Sequence, residues 1–202
     1  GSREPIMIQA DSRYRKSAGY ERPFEGILPI LERQLREALV DIPGARVKVG
    51  FGGSSEKYVL VLTGEDGRTL GEHAAKAAEA ALRMRQALAG LNASGAFGLP
   101  EGQQVRIGIG IHTGVACVGN VGTQSRLNYS AVGDTVNTAA RIESACKDFA
   151  TDILVSAETA RHIPRFRKRP AGEVHLRGKS HAEQVFFLDG RPEDSEAAND
   201  LP

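Results

Sequence analysis

Tryptophan is absent from the 202 residues, aromatic side chains make up 5%, and there are two cysteines, Cys117 and Cys146. So few cysteines rule out a disulfide framework, and both thiols are expected to be small buried groups in a reducing compartment. The net charge is +1, with no basic stripe interleaved with aromatics. A nucleic-acid-binding surface needs such a stripe or a stacking platform, so nucleic acid is not an expected partner. The five histidines are scattered without zinc-ligand spacing. Of these, His112 reads as a turn residue held by backbone groups. No apolar run approaches the roughly 18 residues of a membrane-spanning helix, and no signal-peptide pattern occurs. Direct membrane insertion is therefore not expected, and a cytoplasmic location is. Gly1 and Ser2 read as a cloning remnant, which leaves room for a longer parent protein with an upstream sensor or regulatory domain.

Hydrophobic residues at 41% and charged residues at 25% are ordinary for a globular chain. One domain over residues 3–190 is expected, followed by a flexible acidic tail over 191–202. Pro5 to Ala10 reads as a first strand ending at Asp11. An apolar stripe of Ile27, Ile30, Leu31, Leu35 and Leu39 predicts a helix over 27–40. Residues 45–51 and 57–62 predict two strands joined through Gly52, Gly53, Ser54 and Ser55. The alanine-rich run Leu70 to Leu88 predicts the strongest helix, with a loop over 90–104 after it. Late elements are a strand over 153–155, a short helix over 156–161, a solvated basic run over 165–169, and strands over 174–176 and 184–188.

The most ordered stretch runs from Arg106 to Glu143. Residues 106–111 alternate around glycines and 115–118 are again apolar, which predicts a tight β-hairpin turning at His112 to Gly114. A polar loop then leads to Gly133, Asp134 and Thr135, read as loop and N-cap of a helix over 136–146. On that helix Asn137 and Arg141 are four apart and project from one face. A core helix needs no such pair, whereas a phosphate or ribose site can use it. The order of elements predicts an α+β fold with one sheet packed against helices.

Three segments in order, VRIGIGIHTG (105–114), RLNY (126–129) and VGDTVNTAAR (132–141), resemble the signature half of the class III adenylate/guanylate cyclase catalytic domain. The resemblance implies a ferredoxin-like βαββαβ core with additional C-terminal strands. It also implies a homodimer that closes ATP or GTP into a 3′,5′-cyclic nucleotide and pyrophosphate, each site being composed from both subunits. Asn137 matches the residue that bonds the ribose, and Arg141 matches the arginine that stabilises the transition-state phosphate. Ser130 falls at the base-selecting position, where its hydroxyl favours adenine, and Lys48 is the candidate companion lysine. Arg177 takes the place of the phosphate-binding lysine, with Lys179 two residues on. Asp11 matches the first ligand of Mg2+ or Mn2+; Glu56 aligns with the second when the strand after it is kept in register, whereas aligning Lys48 with the family lysine leaves no acid in register, and both hold only with an insertion.

The first half departs from the pattern. Where the family shows Ile-Arg-Gly-Phe-Thr, this chain has Ser12, Arg13, Tyr14, Arg15 and Lys16, so that Arg13 persists while Tyr14 replaces a glycine. Two readings therefore stay open: an active adenylate cyclase, or a degenerate cyclase-like domain acting as a dimerisation or regulatory nucleotide-binding module.

Overall fold

The computed structural model describes residues 4–13, 33, 46–50, 57–64, 67–123, 126–175 and 182–191. In chain order the elements are β1 (Glu4–Arg13), β2 (Arg46–Gly50), β3 (Lys57–Gly64), α1 (Gly67–Ala93), β4 (Arg106–Thr113), β5 (Cys117–Thr123), β6 (Arg126–Val132), α2 (Asp134–Ala145), β7 (Ile153–Ser156), α3 (Ala157–His162), β8 (Arg167–Val174) and β9 (Glu183–Gly190). Seven strands form one sheet in the order β2-β3-β1-β4-β7-β9-β8, and β5 and β6 form a separate two-stranded sheet. The fold is the expected α+β type with a ferredoxin-like core.

β4 occupies the centre of the sheet because its two faces suit two different neighbours. Ile107, Ile109 and Ile111 are buried in one cluster with Ala74, Ala77, Ala78 and Ala81 of α1. Alanines leave the helix surface low, so a long helix can lie close over branched strand residues. Each fully buried isoleucine contributes about 1.5–3 kcal/mol by removal from water. The opposite face of β4 shows Gly108 and Gly110, and α2 packs there. Ile142, Ala145 and Cys146 of α2 join Leu154 and Val185 in a second cluster.

Side-chain bonds close the loops around this frame. Asn92 acts like a strand neighbour for Val105: its Nδ2 donates to Val105 O at 2.8 Å and its Oδ1 accepts from Val105 N at 2.9 Å. Arg85 donates to Leu188 O and Asp189 O at 3.2 and 2.9 Å, fastening α1 to the end of β9. β8 is an edge strand, which explains how it tolerates Pro170 and register shifts at Arg167/Lys168 and Pro170/Gly172. Lys168 donates to Ile163 O at 2.9 Å, and its burial lowers its pKa.

Several expectations are corrected. The predicted hairpin across His112 to Gly114 does not form: β4 pairs with β1 and β7, while β5 pairs with β6. The polar loop before α2 is instead strand β6. His112 is a buried residue of β4, 8% exposed, and not the tip of a turn. The basic run at 165–169 is partly strand, since β8 starts at Arg167 and ends at Val174, where a later strand was expected to begin. α1 continues through Gly90 to Ala93, and β1 continues through Asp11 to Arg13, so both residues lie in the strand. The helix expected over 27–40 falls outside the described residues except for helical Arg33.

Candidate active site

The register of the sheet places the first-half candidates. Gly50, Lys57, Asp11 and Gly108 form one row across β2, β3, β1 and β4. Lys48, Val59, Gln9 and Gly110 form a second row two residues along each strand. Residues paired across strands share a face, and so do residues two apart, so positions 11 and 48 lie on the face that carries Gly108 and Gly110. Arg13 is paired with Arg106 at the end of β1, and Arg106 Nη2 contacts Asp152 Oδ1 at 3.0 Å.

α2 lies on this same face at unusually short range. A Cβ on Gly110 would stand 2.3 Å from Glu143 N and 2.5 Å from Ala139 O, so the helix backbone itself occupies that space. A Cβ on Gly108 would stand 2.8 Å from Glu143 Oε1. The two glycines therefore do different work: Gly110 admits the helix backbone and Gly108 leaves room for a carboxylate. Glu143 is fully buried, and Ser144 Oγ donates to its Oε2 at 3.3 Å. A carboxylate taken out of water costs several kcal/mol unless it is held by partners, so its place in the seam is a specific feature of the helix.

The start of α2 is built without a capping side chain. Gly133 is the N-cap, with φ 153°, and makes no side-chain bond to the helix. That φ favours glycine. Asp134 stands in the first turn, where its charge complements the helix dipole. In the next residue, Thr135 Oγ1 donates to Val115 O at 2.6 Å. From this anchored start Asn137 is exposed and Arg141 half-buried, one turn apart on a helix fixed over Gly110. A second polar cluster lies beneath. Thr113, Ser156 and Thr159 are buried, with Thr113 Oγ1 3.0 Å and Ser156 Oγ 3.1 Å from Thr159 Oγ1.

Of the residues nominated from the sequence, Asp11 and Lys48 are brought to one sheet face and Asn137 and Arg141 to one helix that crosses it. Ser130 lies in β6, paired with Gly119 in the small sheet. Glu56, Arg177 and Lys179 lie outside the described residues. Among the described residues no group of three His, Cys, Asp or Glu gathers to hold a metal. Sequence reasoning missed Thr135 and Glu143. Glu143 left a signal: it falls four residues after Ala139 and one after Ile142, inside the apolar stripe of α2, where a charged residue contradicts the pattern.

The sequence profile of the adenylate and guanylate cyclase catalytic domain matches residues 48–190. The chain is 42% identical over 120 residues to adenylate cyclase 1 of Rhizobium meliloti, covering 58% of this chain and 18% of that protein. It is 35% identical over 147 residues to the adenylate cyclase of Anabaena cylindrica, covering 67% of this chain and 28% of that one. The chain thus spans less than a third of either relative. The solved structure of the adenylyl cyclase CyaB from P. aeruginosa aligns over 100% of this chain and 98% of its own, with TM-score 0.73 and 23% identity. The guanylate cyclase domain of RhGC from Catenaria anguillulae, in complex with GTP, aligns over 94% and 98% with TM-score 0.70 and 21% identity. With a profile match over well over half its length, and with the signature helix seated on the central strand, the chain belongs to the adenylate and guanylate cyclase catalytic domain family.

Proposed function

We propose that the chain is a nucleotidyl cyclase domain that converts ATP, in preference to GTP, into 3′,5′-cyclic nucleotide and pyrophosphate at sites shared by two copies of the chain. The observation that carries this reading is α2, seated over Gly110 with Asn137 left exposed to meet positions 11 and 48 of a second copy. In the reaction the ribose 3′-oxygen loses its proton and bonds to the α-phosphorus, while the bond from that phosphorus to the pyrophosphate oxygen breaks. Asn137 orients the ribose, and the guanidinium of Arg141 offsets the charge that grows on the α-phosphate. Arg177 and Lys179 hold the departing phosphates, and Arg13 binds the nucleotide. Ser130 and Lys48 select the base. Exposure of Asn137 favours its use by nucleotide bound with a second copy, as a composite site requires.

Asp11 and Glu56 would hold Mg2+ or Mn2+. Carboxylate oxygens suit these hard ions, which usually take one or two carboxylates together with substrate phosphates. Asp11 lies in β1, paired with Lys57 of β3, and Glu56 lies outside the described residues. When bound, such an ion supplies charge compensation at the phosphates.

The degenerate reading draws on Tyr14 in place of the family glycine and on Glu56 in place of an aspartate. A mixing experiment separates the two. Asp11→Ala and Asn137→Ala are each expected to abolish turnover, and mixing the two inactive proteins is expected to restore part of it, because a mixed dimer keeps one intact composite site. Binding of nucleotide without turnover in the unaltered protein would favour the regulatory module.

A further inference from the structure

We propose that Thr135 is a positioning residue, whose hydroxyl holds the uncapped first turn of α2, and Asn137 with it, against the segment that follows β4. The role given to Asn137 rests on the cyclase reading above; the tether itself does not.

The geometry is a two-sided clamp on residues 113–116. On one side, Thr113 Oγ1 lies 3.0 Å from Thr159 Oγ1, which in turn donates to Ile111 O at 3.4 Å. Thr159 is itself fixed by its backbone N, which donates to Ser156 Oγ at 3.2 Å. This cluster ties the end of β4 to the start of α3, and its three hydroxyl residues are at most 2% exposed. On the other side, Thr135 Oγ1 donates to Val115 O at 2.6 Å, although Val115 is 55% exposed. Thr135 is 5% exposed. Gly114 makes the approach possible, since a Cβ there would stand 2.7 Å from Thr135 Oγ1 and 3.3 Å from Thr135 Cγ2.

A helix start normally gains its fixation from an N-cap side chain, and its first turn frays when that bond is missing. Gly133 supplies none. One backbone bond, Val136 N to Gly133 O at 3.2 Å, closes the entry. The hydroxyl of Thr135 satisfies no helix N–H, but it anchors the first turn to a strand end already held by Thr113 and Thr159. Asn137 is two residues on, within that turn. Arg141 is a full turn further, where the close seat on Gly110 already holds the helix. Loss of the tether should thus act through Asn137 and leave Arg141 in place.

Thr135→Val removes the hydroxyl and keeps the shape, and Thr135→Ser keeps the hydroxyl and loses a methyl. Hydrogen exchange of the amides of residues 138–141 reads the tether directly. Expected is about tenfold faster exchange in Thr135→Val and near-normal exchange in Thr135→Ser. Equal exchange in all three proteins, or equal acceleration in both variants, would overturn the tether, the latter because it would point to packing of the methyl. Turnover gives the functional arm. Thr135→Val should lower kcat/KM about 10- to 100-fold, and Thr135→Ser should restore it. Unchanged kcat/KM in Thr135→Val, beside accelerated exchange, would overturn action through Asn137. If the unaltered protein makes no product, the cyclase reading fails while the exchange data still decide the tether.

Discussion

Replacing Gly110 by alanine places a methyl carbon 2.3 Å from Glu143 N, 2.5 Å from Ala139 O and 2.8 Å from Glu143 Cα. All three are backbone atoms of α2, so no change of side-chain rotamer relieves the overlap. Comfortable carbon contacts begin at roughly 3.5 Å, so the helix must retreat by about 1 Å from the sheet. Overpacking of this kind costs about 1–3 kcal/mol, and Gly110→Ala belongs at the upper end because Ile142, Ala145 and Cys146 leave their buried contacts together. At about 2–4 °C per kcal/mol for a chain of this size, 3 kcal/mol lowers Tm by about 6–12 °C. Gly90→Ala is the matched control. Gly90 lies in α1 with nothing within 4 Å of its Cβ position, so alanine there should gain about 0.5–1 kcal/mol from helix propensity. Thermal unfolding of the two variants beside the unaltered protein, followed by circular dichroism, gives the comparison. If Gly110→Ala melts within about 2 °C of the unaltered protein, the close seat of α2 on β4 is wrong, and with it the placement of Asn137 and Arg141 over the sheet.

Asn92→Ala removes both partners of the buried Val105 backbone and should cost about 1–3 kcal/mol, measured by urea unfolding; an unchanged midpoint would show that water replaces the amide without loss. Burial lowers the pKa of His73 from 6.5, Lys76 lowers it further and Glu72 opposes. Because the unfolded chain then binds the proton more readily, the stability carried by neutral His73 is complete above pH 6.5 and is lost as pH falls through the folded-state value. His73→Gln should therefore flatten the decline of Tm between about pH 7.5 and 5.5, and superimposable profiles would contradict this. Asn137→Ala and Arg141→Ala should abolish cyclase turnover while shifting Tm little for the exposed Asn137 and more for the half-buried Arg141; equal, large Tm losses would mark both as structural residues.

Periodicity made much of this fold legible. The apolar spacing of α1 and α2, the alternation of β2 and β3 and the short apolar run of β7 are local signals, and each of these elements stands where its signal predicts it. What failed was pairing. Arg106 to Val118 reads as a hairpin when neighbours in sequence are assumed to pair, yet β4 takes β1 and β7 as partners, one of them nearly a hundred residues away. Nothing local encodes that choice. β6 escaped notice because its polar residues pair with β5 in a small separate sheet and give no core alternation. β8 looked like a solvated basic run because an edge strand with exposed arginines and Pro170 carries little of the usual strand signal. That Asn137 and Arg141 lie one turn apart on one helix was legible from spacing alone. Thr135 was not, since a threonine beside a glycine cap gives no sign that its hydroxyl reaches a carbonyl twenty residues earlier.

Quantifying cyclic nucleotide and pyrophosphate after incubation of the concentrated protein with ATP or GTP and Mn2+ tests the cyclase reading most directly. Expected are equal amounts of the two products, more from ATP than from GTP, and none from Asp11→Ala. A protein shown to be dimeric that yields no cyclic nucleotide from either substrate would contradict it.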